Sequence, residues 1–156
     1  MNAFHELFRH QSLPPQGQIF ADERSVLFPE VVAHSSRLTL WERHEAPPTS
    51  GQFLLVGIAT WSGYDMMLLD AIERSTGNPD AIGVFDTAHC KSNEDFEAWI
   101  PSIGIVYQSP VVGLWDNGKL VARGSGHEGR EIAFRACGLD PECIRELLDP
   151  RTALTV

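Results

Sequence analysis

A hydroxyl and a carboxylate stand three residues apart in the stretch Trp61-Ser62-Gly63-Tyr64-Asp65. Chemically this pair offers a serine nucleophile or a carboxylate acid. A serine is inert at its free pKa unless a base and a group orienting that base stand beside it, and no neighbour in the sequence supplies them. The Gly-x-Ser-x-Gly turn of α/β-hydrolases is absent from this stretch as well. The same spacing has a structural use. Ser62 as N-cap with Asp65 three residues later is a capping-box-like helix start, and a carboxylate in the first turn complements the helix dipole.

A glycine pattern is the second chemical signal. Gly124-Ser125-Gly126-His127-Glu128-Gly129 matches Gly-x-Gly-x-x-Gly between a strand and a helix. As a dinucleotide fingerprint it needs a following parallel strand and an acidic residue about 20 positions on, and the remaining sequence reads as helical. The expectation is therefore a strand-to-helix loop and no cofactor.

Thiols and imidazoles are the third. The three cysteines are too few and too widely spaced for a disulfide framework. The six histidines show no metal-ligand spacing with a cysteine except the adjacent pair His89-Cys90, and adjacent residues seldom ligate one metal. No metal is expected. Cys137 falls in a helix ending at Gly138. Cys143 lies just after Asp140-Pro141, where Asp140 and Glu142 oppose a thiolate. Cys90 is the better thiolate candidate, because Lys91, and His89 when protonated, favour the anion.

The elements that position these residues follow from apolar patterning. Phe53–Ala59 is a continuous apolar run, as expected of a strand covered on both faces. The turn Trp61-Ser62-Gly63 leads into a helix to about Thr76, stopped by Gly77 with Pro79 beyond. Upstream, residues 3–10 form a short amphipathic helix with Phe4, Leu7 and Phe8 on one face, and residues 11–18 read as a linker. A second helix is expected over roughly 22–35, with Asp22 as N-cap and Pro29 as a kink or delayed start. Arg37–Glu42 alternates as a first strand.

Downstream, Ala81–Thr87 is a strand and Ser92 opens a helix carrying Phe96, Trp99 and Ile100 that ends near Pro101. Val111–Trp115 and Lys119–Arg123 flank Asp116-Asn117-Gly118, the strongest short hairpin signal available. A helix from about Glu128 to Ala136 follows, and Asp140-Pro141-Glu142 restarts a last one to about Leu148. Trp41, Trp99 and Trp115 fall on apolar faces and are expected in the core.

The order β–α–β–α–β–β–α from residue 53 onward, the Trp61-Ser62-Gly63 turn and the segment Ser109-Pro110 followed by an apolar strand, Asn117-Gly118 and a returning strand resemble the thioredoxin-like superfamily. The resemblance covers roughly residues 37–138. It implies an α/β fold with a central mixed sheet flanked by helices. Residues 1–36 would be an N-terminal helical extension and 139–156 a short C-terminal helix and tail. It also implies a cis peptide at Pro110 facing the turn. The redox parts are missing: Ser62 stands at the nucleophilic cysteine position, Asp65 at the resolving one, and Val56 where the family has a buried Asp.

The same resemblance places Trp61, Ser62, Gly63, Tyr64, Asp65, Ser109 and Pro110 along a peptide-binding groove. Trp61 would be an exposed anchor there. It also brings the Thr87–Lys91 loop, and so Cys90, to the same sheet edge. Two functions follow. One is a redox-inactive protein-binding module, scaffold or maturation chaperone with a protein or peptide partner; cysteine-free thioredoxin-like maturation chaperones are a precedent for that class. The other is a thiol-disulfide oxidoreductase or thiol enzyme working through a relocated Cys90.

Bulk properties bound the partners. The chain of 156 residues is 43% hydrophobic and 21% charged, ordinary values for one globular domain. Its net charge of −9 argues against a nucleic-acid backbone or an anionic membrane as main partner. No apolar run is long enough to span a bilayer, and the first residues lack a signal-peptide apolar region. A cytoplasmic, reducing location is the natural expectation.

Overall fold

The computed structural model describes residues 3–8 and 18–140. Its elements, in order, are α1 (Ala3–Phe8), α2 (Gln18–Ala33), β1 (Leu38–Leu40), β2 (Gln52–Ile58), α3 (Gly63–Arg74), β3 (Ala81–Asp86), α4 (Asn93–Trp99), β4 (Val111–Asp116), β5 (Lys119–Ser125) and α5 (His127–Ala136). The fold is α/β. One mixed sheet has the strand order β1-β3-β2-β4-β5. β3 runs parallel to β1 and β2, whereas β4 is antiparallel to β2 and to β5.

β2 is central because it is apolar on both faces. Leu54, Val56 and Ile58 point into one core with Met66, Leu68, Leu69, Ile72 and Phe134. Phe53 and Leu55 point into the other with Phe85, Ile100 and Trp115. Period-two alternation thus divides one continuous apolar run between two cores. Gly57 leaves space for a ring: a Cβ there would lie 2.3 Å from Cζ of Phe85, which stacks on Trp99 at a centroid distance of 4.1 Å. Trp115 is buried, and Trp41 and Trp99 are partly buried against the second core, as their apolar surroundings in the sequence imply.

The β4–β5 hairpin turns at Asn117 and Gly118, whose φ values of 52° and 82° are the left-handed pair of a type I′ turn. Asn117 also ties the turn to the start of β2. Its N–H donates to the Gly51 carbonyl, and its Oδ1 accepts from the Gly51 N–H, each at 2.9 Å.

Several boundaries differ from those read in the sequence. α2 starts at Gln18, so Asp22 lies inside the helix rather than capping it, and the helix continues through Pro29. The linker expected over 11–18 lies outside the described residues except for Gln18. The first strand shortens to Leu38–Leu40. α3 ends at Arg74, two residues before the expected Thr76. Ser75 caps it in extended conformation, its N–H donating to the Ile72 carbonyl, so the chain has left the helix before Gly77 is reached. The last helix expected from Asp140 falls beyond residue 140, outside the described residues.

The segments before β1 share the main core. Phe4, Leu7, Phe28 and Val32 are buried in it. α1 is too short to persist on its own propensity. Its first-turn donors are satisfied from another element: Asp70 of α3 accepts from the Phe4 N–H at 3.0 Å and the His5 N–H at 2.8 Å. Burial raises the Asp70 carboxyl above its ordinary pKa, partly offset by these two N–H groups. Asp70→Ala would leave two buried donors without an acceptor, at about 1–3 kcal/mol each. Urea denaturation should show a loss of at least that size for Asp70→Ala and a smaller one for Asp70→Asn. Wild-type stability in Asp70→Ala would contradict the role of this cap.

Candidate functional site

The end of β2 and the start of α3 are joined by a turn of four residues, Ala59 to Ser62. The turn is closed by the Ser62 N–H donating to the Ala59 carbonyl at 3.0 Å. Ser62 is the N-cap, as its type and position predict; its Oγ accepts from the Asp65 N–H at 3.2 Å. The reciprocal half of a capping box is absent. Instead of reaching back to Ser62, the Asp65 carboxylate accepts from the Ala59 N–H at 2.9 Å and so ties the end of the strand to the first turn of the helix.

Asp65 is therefore more than a dipole partner. It is 1% exposed, and its Oδ1 has no hydrogen-bond partner. Burial raises its pKa above 3.8. The Ala59 N–H, the Ser109 hydroxyl, the Arg130 charge and the Ser62 hydroxyl lower it by smaller amounts. Ser109 is close enough to act on the carboxyl without making a hydrogen bond of ordinary geometry to Oδ1.

Across from this turn the Ser109–Pro110 peptide is cis, as the resemblance implies. The glycines of 124–129 explain how α5 packs behind it. A Cβ on Gly129 would lie 2.9 Å from the Pro110 carbonyl oxygen, and Gly126, at φ 61°, donates its N–H to that same oxygen at 2.9 Å. The pattern serves close approach of a helix to a strand, and the loop expected over 124–129 shrinks to one residue: Gly124 and Ser125 end β5, Gly126 is the N-cap, and His127–Gly129 already belong to α5.

Between turn and cis peptide lies an open cleft of about 450 Å³, on whose wall stand Trp61, Ser62, Tyr64, Ser109, Tyr107 and Arg130 among others. Four of the seven groove residues expected from sequence thus line it. Asp65 and Pro110 are buried behind the wall. Gly63 faces elsewhere: its missing Cβ leaves room for the Phe8 ring of α1, 3.2 Å from where that atom would be. Trp61 is 66% exposed and Tyr107 85% exposed. Among the described residues, the backbone of Tyr107 and Gln108 makes no hydrogen bond with the rest of the chain. Sequence reading missed Arg130 and Tyr107. Neither belongs to a motif, and the only hint is that Arg130 follows the tightly packed Gly129.

Cys90 departs from expectation. Its loop does reach the same sheet edge, where Thr87 lines the cleft and its Oγ1 donates to the Ile58 carbonyl at 2.9 Å. Cys90 itself turns away, packing half-buried against the second core. Burial pushes its thiol up to about 11, and the Asp95 and Asp86 carboxylates add to that, outweighing Arg43 and Trp99. The exposed Lys91 and His89 do not provide the lowering that their place in the sequence suggests. Cys137 is buried, with its thiol raised by desolvation. Cys143 lies outside the described residues. Among the described residues no group of three or more His, Cys, Asp or Glu side chains is placed to hold a metal. No helix among them is long and apolar enough to cross a membrane.

Compared with protein-family models, curated proteins and solved structures, the chain gives no significant match.

Two substitutions test the turn. Ser62→Ala should cost about 0.5–2 kcal/mol through loss of the cap, read as a shift in the denaturation midpoint. Asp65→Asn keeps an acceptor for the Ala59 N–H and removes the titration. Because burial raises the native pKa above 3.8, the stability from Asp65's proton is complete below that value and is lost as pH rises through the native pKa. The stability of Asp65→Asn relative to wild type should therefore rise with pH across this window. A relative stability that falls with pH would show the carboxylate to be favoured by its surroundings.

Proposed function

We propose that the chain is a divergent, redox-inactive thioredoxin-like protein that acts as a protein-binding module, in the manner of a scaffold or maturation chaperone. The observation that carries this reading is the cleft between the Trp61-Ser62 turn and the cis Ser109–Pro110 peptide. It combines an exposed Trp61 with an unpaired backbone edge at Tyr107 and Gln108. An aromatic anchor beside free main-chain donors and acceptors suits an extended peptide, which gains affinity from strand-like pairing and specificity from side-chain contacts. The strand order β1-β3-β2-β4-β5 is compatible with the thioredoxin-like reading.

The site's chemistry favours binding over catalysis. Among the described residues no thiol lines the cleft, and Ser62 is engaged as a helix cap with no histidine on the cleft wall to activate it. Asp65 has no opening to solvent. The alternative thiol enzyme would need Cys90 as thiolate, and its pKa of about 11 leaves almost none at neutral pH.

Two measurements test the proposal. Reduction of a model disulfide by dithiothreitol should proceed at the same rate with or without the protein; acceleration that disappears in Cys90→Ser would favour the thiol enzyme. Trp61→Ala should abolish retention of protein partners from an extract of the native cell while changing stability by no more than about 0.5 kcal/mol, since the ring is mostly exposed. Unchanged retention by Trp61→Ala would rule out the groove as the binding surface.

A further inference from the structure

We propose that the cleft selects an extended peptide segment carrying one internal Asp or Glu, whose side-chain carboxylate is held by Arg130. This rests on the groove reading and names the chemistry of its occupant.

Among the described residues Arg130 is the sole charged side chain on the cleft wall. It leaves the first turns of α5, which Gly129 brings tight against the cis-proline carbonyl, so the guanidinium is rooted on a fixed element at one side of the groove. It forms no ion pair among the described residues. Its Nε is buried without a hydrogen-bond acceptor. Nε itself is out of a ligand's reach, so a carboxylate in the cleft meets the terminal N–H groups of the fork, which are neither buried nor hydrogen-bonded among the described residues. Asp65 does not fill that place. It feels the Arg130 charge from behind the wall, but its Oδ2 is committed to the Ala59 N–H and its Oδ1 makes no hydrogen bond.

The rest of the cleft defines the segment around that carboxylate. Tyr107 and Gln108 offer unpaired backbone to a chain passing through, which suits an internal residue rather than a chain terminus. Trp61 and Tyr107 offer exposed aromatic surface to apolar neighbours of the acid. The chain's net charge of −9 repels strongly acidic segments at long range, so a single acid in an apolar setting fits best.

The test pans a displayed random dodecapeptide library against the full-length chain. Enriched sequences are then made as acetylated, amidated peptides, and their affinity is measured by fluorescence anisotropy. The expected result is one fixed Asp or Glu position within an apolar context. Replacing that residue by Gln or Asn in the peptide should weaken binding roughly tenfold or more, as should Arg130→Gln in the protein. Raised salt should weaken the acidic peptide and not its amide counterpart. The peptide exchange leaves the protein untouched, so it decides the matter even if Arg130→Gln folds poorly.

Enriched peptides that need Trp61 but carry no fixed acid, or bind Arg130→Gln equally, would overturn the carboxylate inference and leave the groove reading intact. Equal binding by peptides whose only carboxylate is C-terminal would overturn the choice of an internal residue. Absence of any enrichment would count against both readings.

Discussion

Much of this structure depends on the single hydrogen bond from the Ala59 N–H to the buried Asp65 carboxylate. β2 must pass into α3 within four residues, and the strand's last N–H lies beyond the end of the sheet ladder. A buried donor left there would be costly. Asp65 satisfies it from the helix's first turn while the Ser62 hydroxyl satisfies the Asp65 N–H. The turn is thereby held from both sides, and Trp61 is left projecting from it. Burial of the carboxyl is the cost of this arrangement, visible in its raised pKa.

A second long-range carboxylate plays a comparable part on the same helix. Asp70 caps α1 across a large sequence separation, so a helix of six residues is retained that could not stand alone. α3 thus organises both its junction with the sheet and the docking of the N-terminal segment. The Phe8 ring of α1 lies over Gly63 at the start of α3, which connects the N-terminal helix to the turn that carries Trp61.

The cleft follows from these constraints. Its two walls are a turn fixed by Asp65 and a cis peptide backed by α5 through Gly126 and Gly129. Both walls are tied to the body of the fold, one through the Asp65 carboxylate and the other through the Gly126 N–H and the close approach of Gly129. What stands on them is an aromatic ring, hydroxyls, open backbone and one guanidinium rather than a thiol pair. Preorganised recognition suits these groups better than covalent chemistry does.

The sequence alone determined the elements whose causes are local. The two-faced apolar run of β2, the Ser62 cap and the Asn117-Gly118 turn all follow from period, capping or glycine geometry within a few residues. The partners of Asp65, Cys90 and Arg130 did not. Asp65 reads locally as a helix-start carboxylate, yet its partner is six residues back across a turn. Cys90 reads as activated by Lys91 and His89, yet it packs into an apolar core beside Asp95 and Asp86. Arg130 belongs to no motif and meets Trp61 and Ser109 only when α5 folds back over β4. Burial and charge neighbours are set by segments distant in the chain. Only tertiary structure could therefore decide which carboxyl is desolvated, which thiol is silenced and which cation is left facing a cleft.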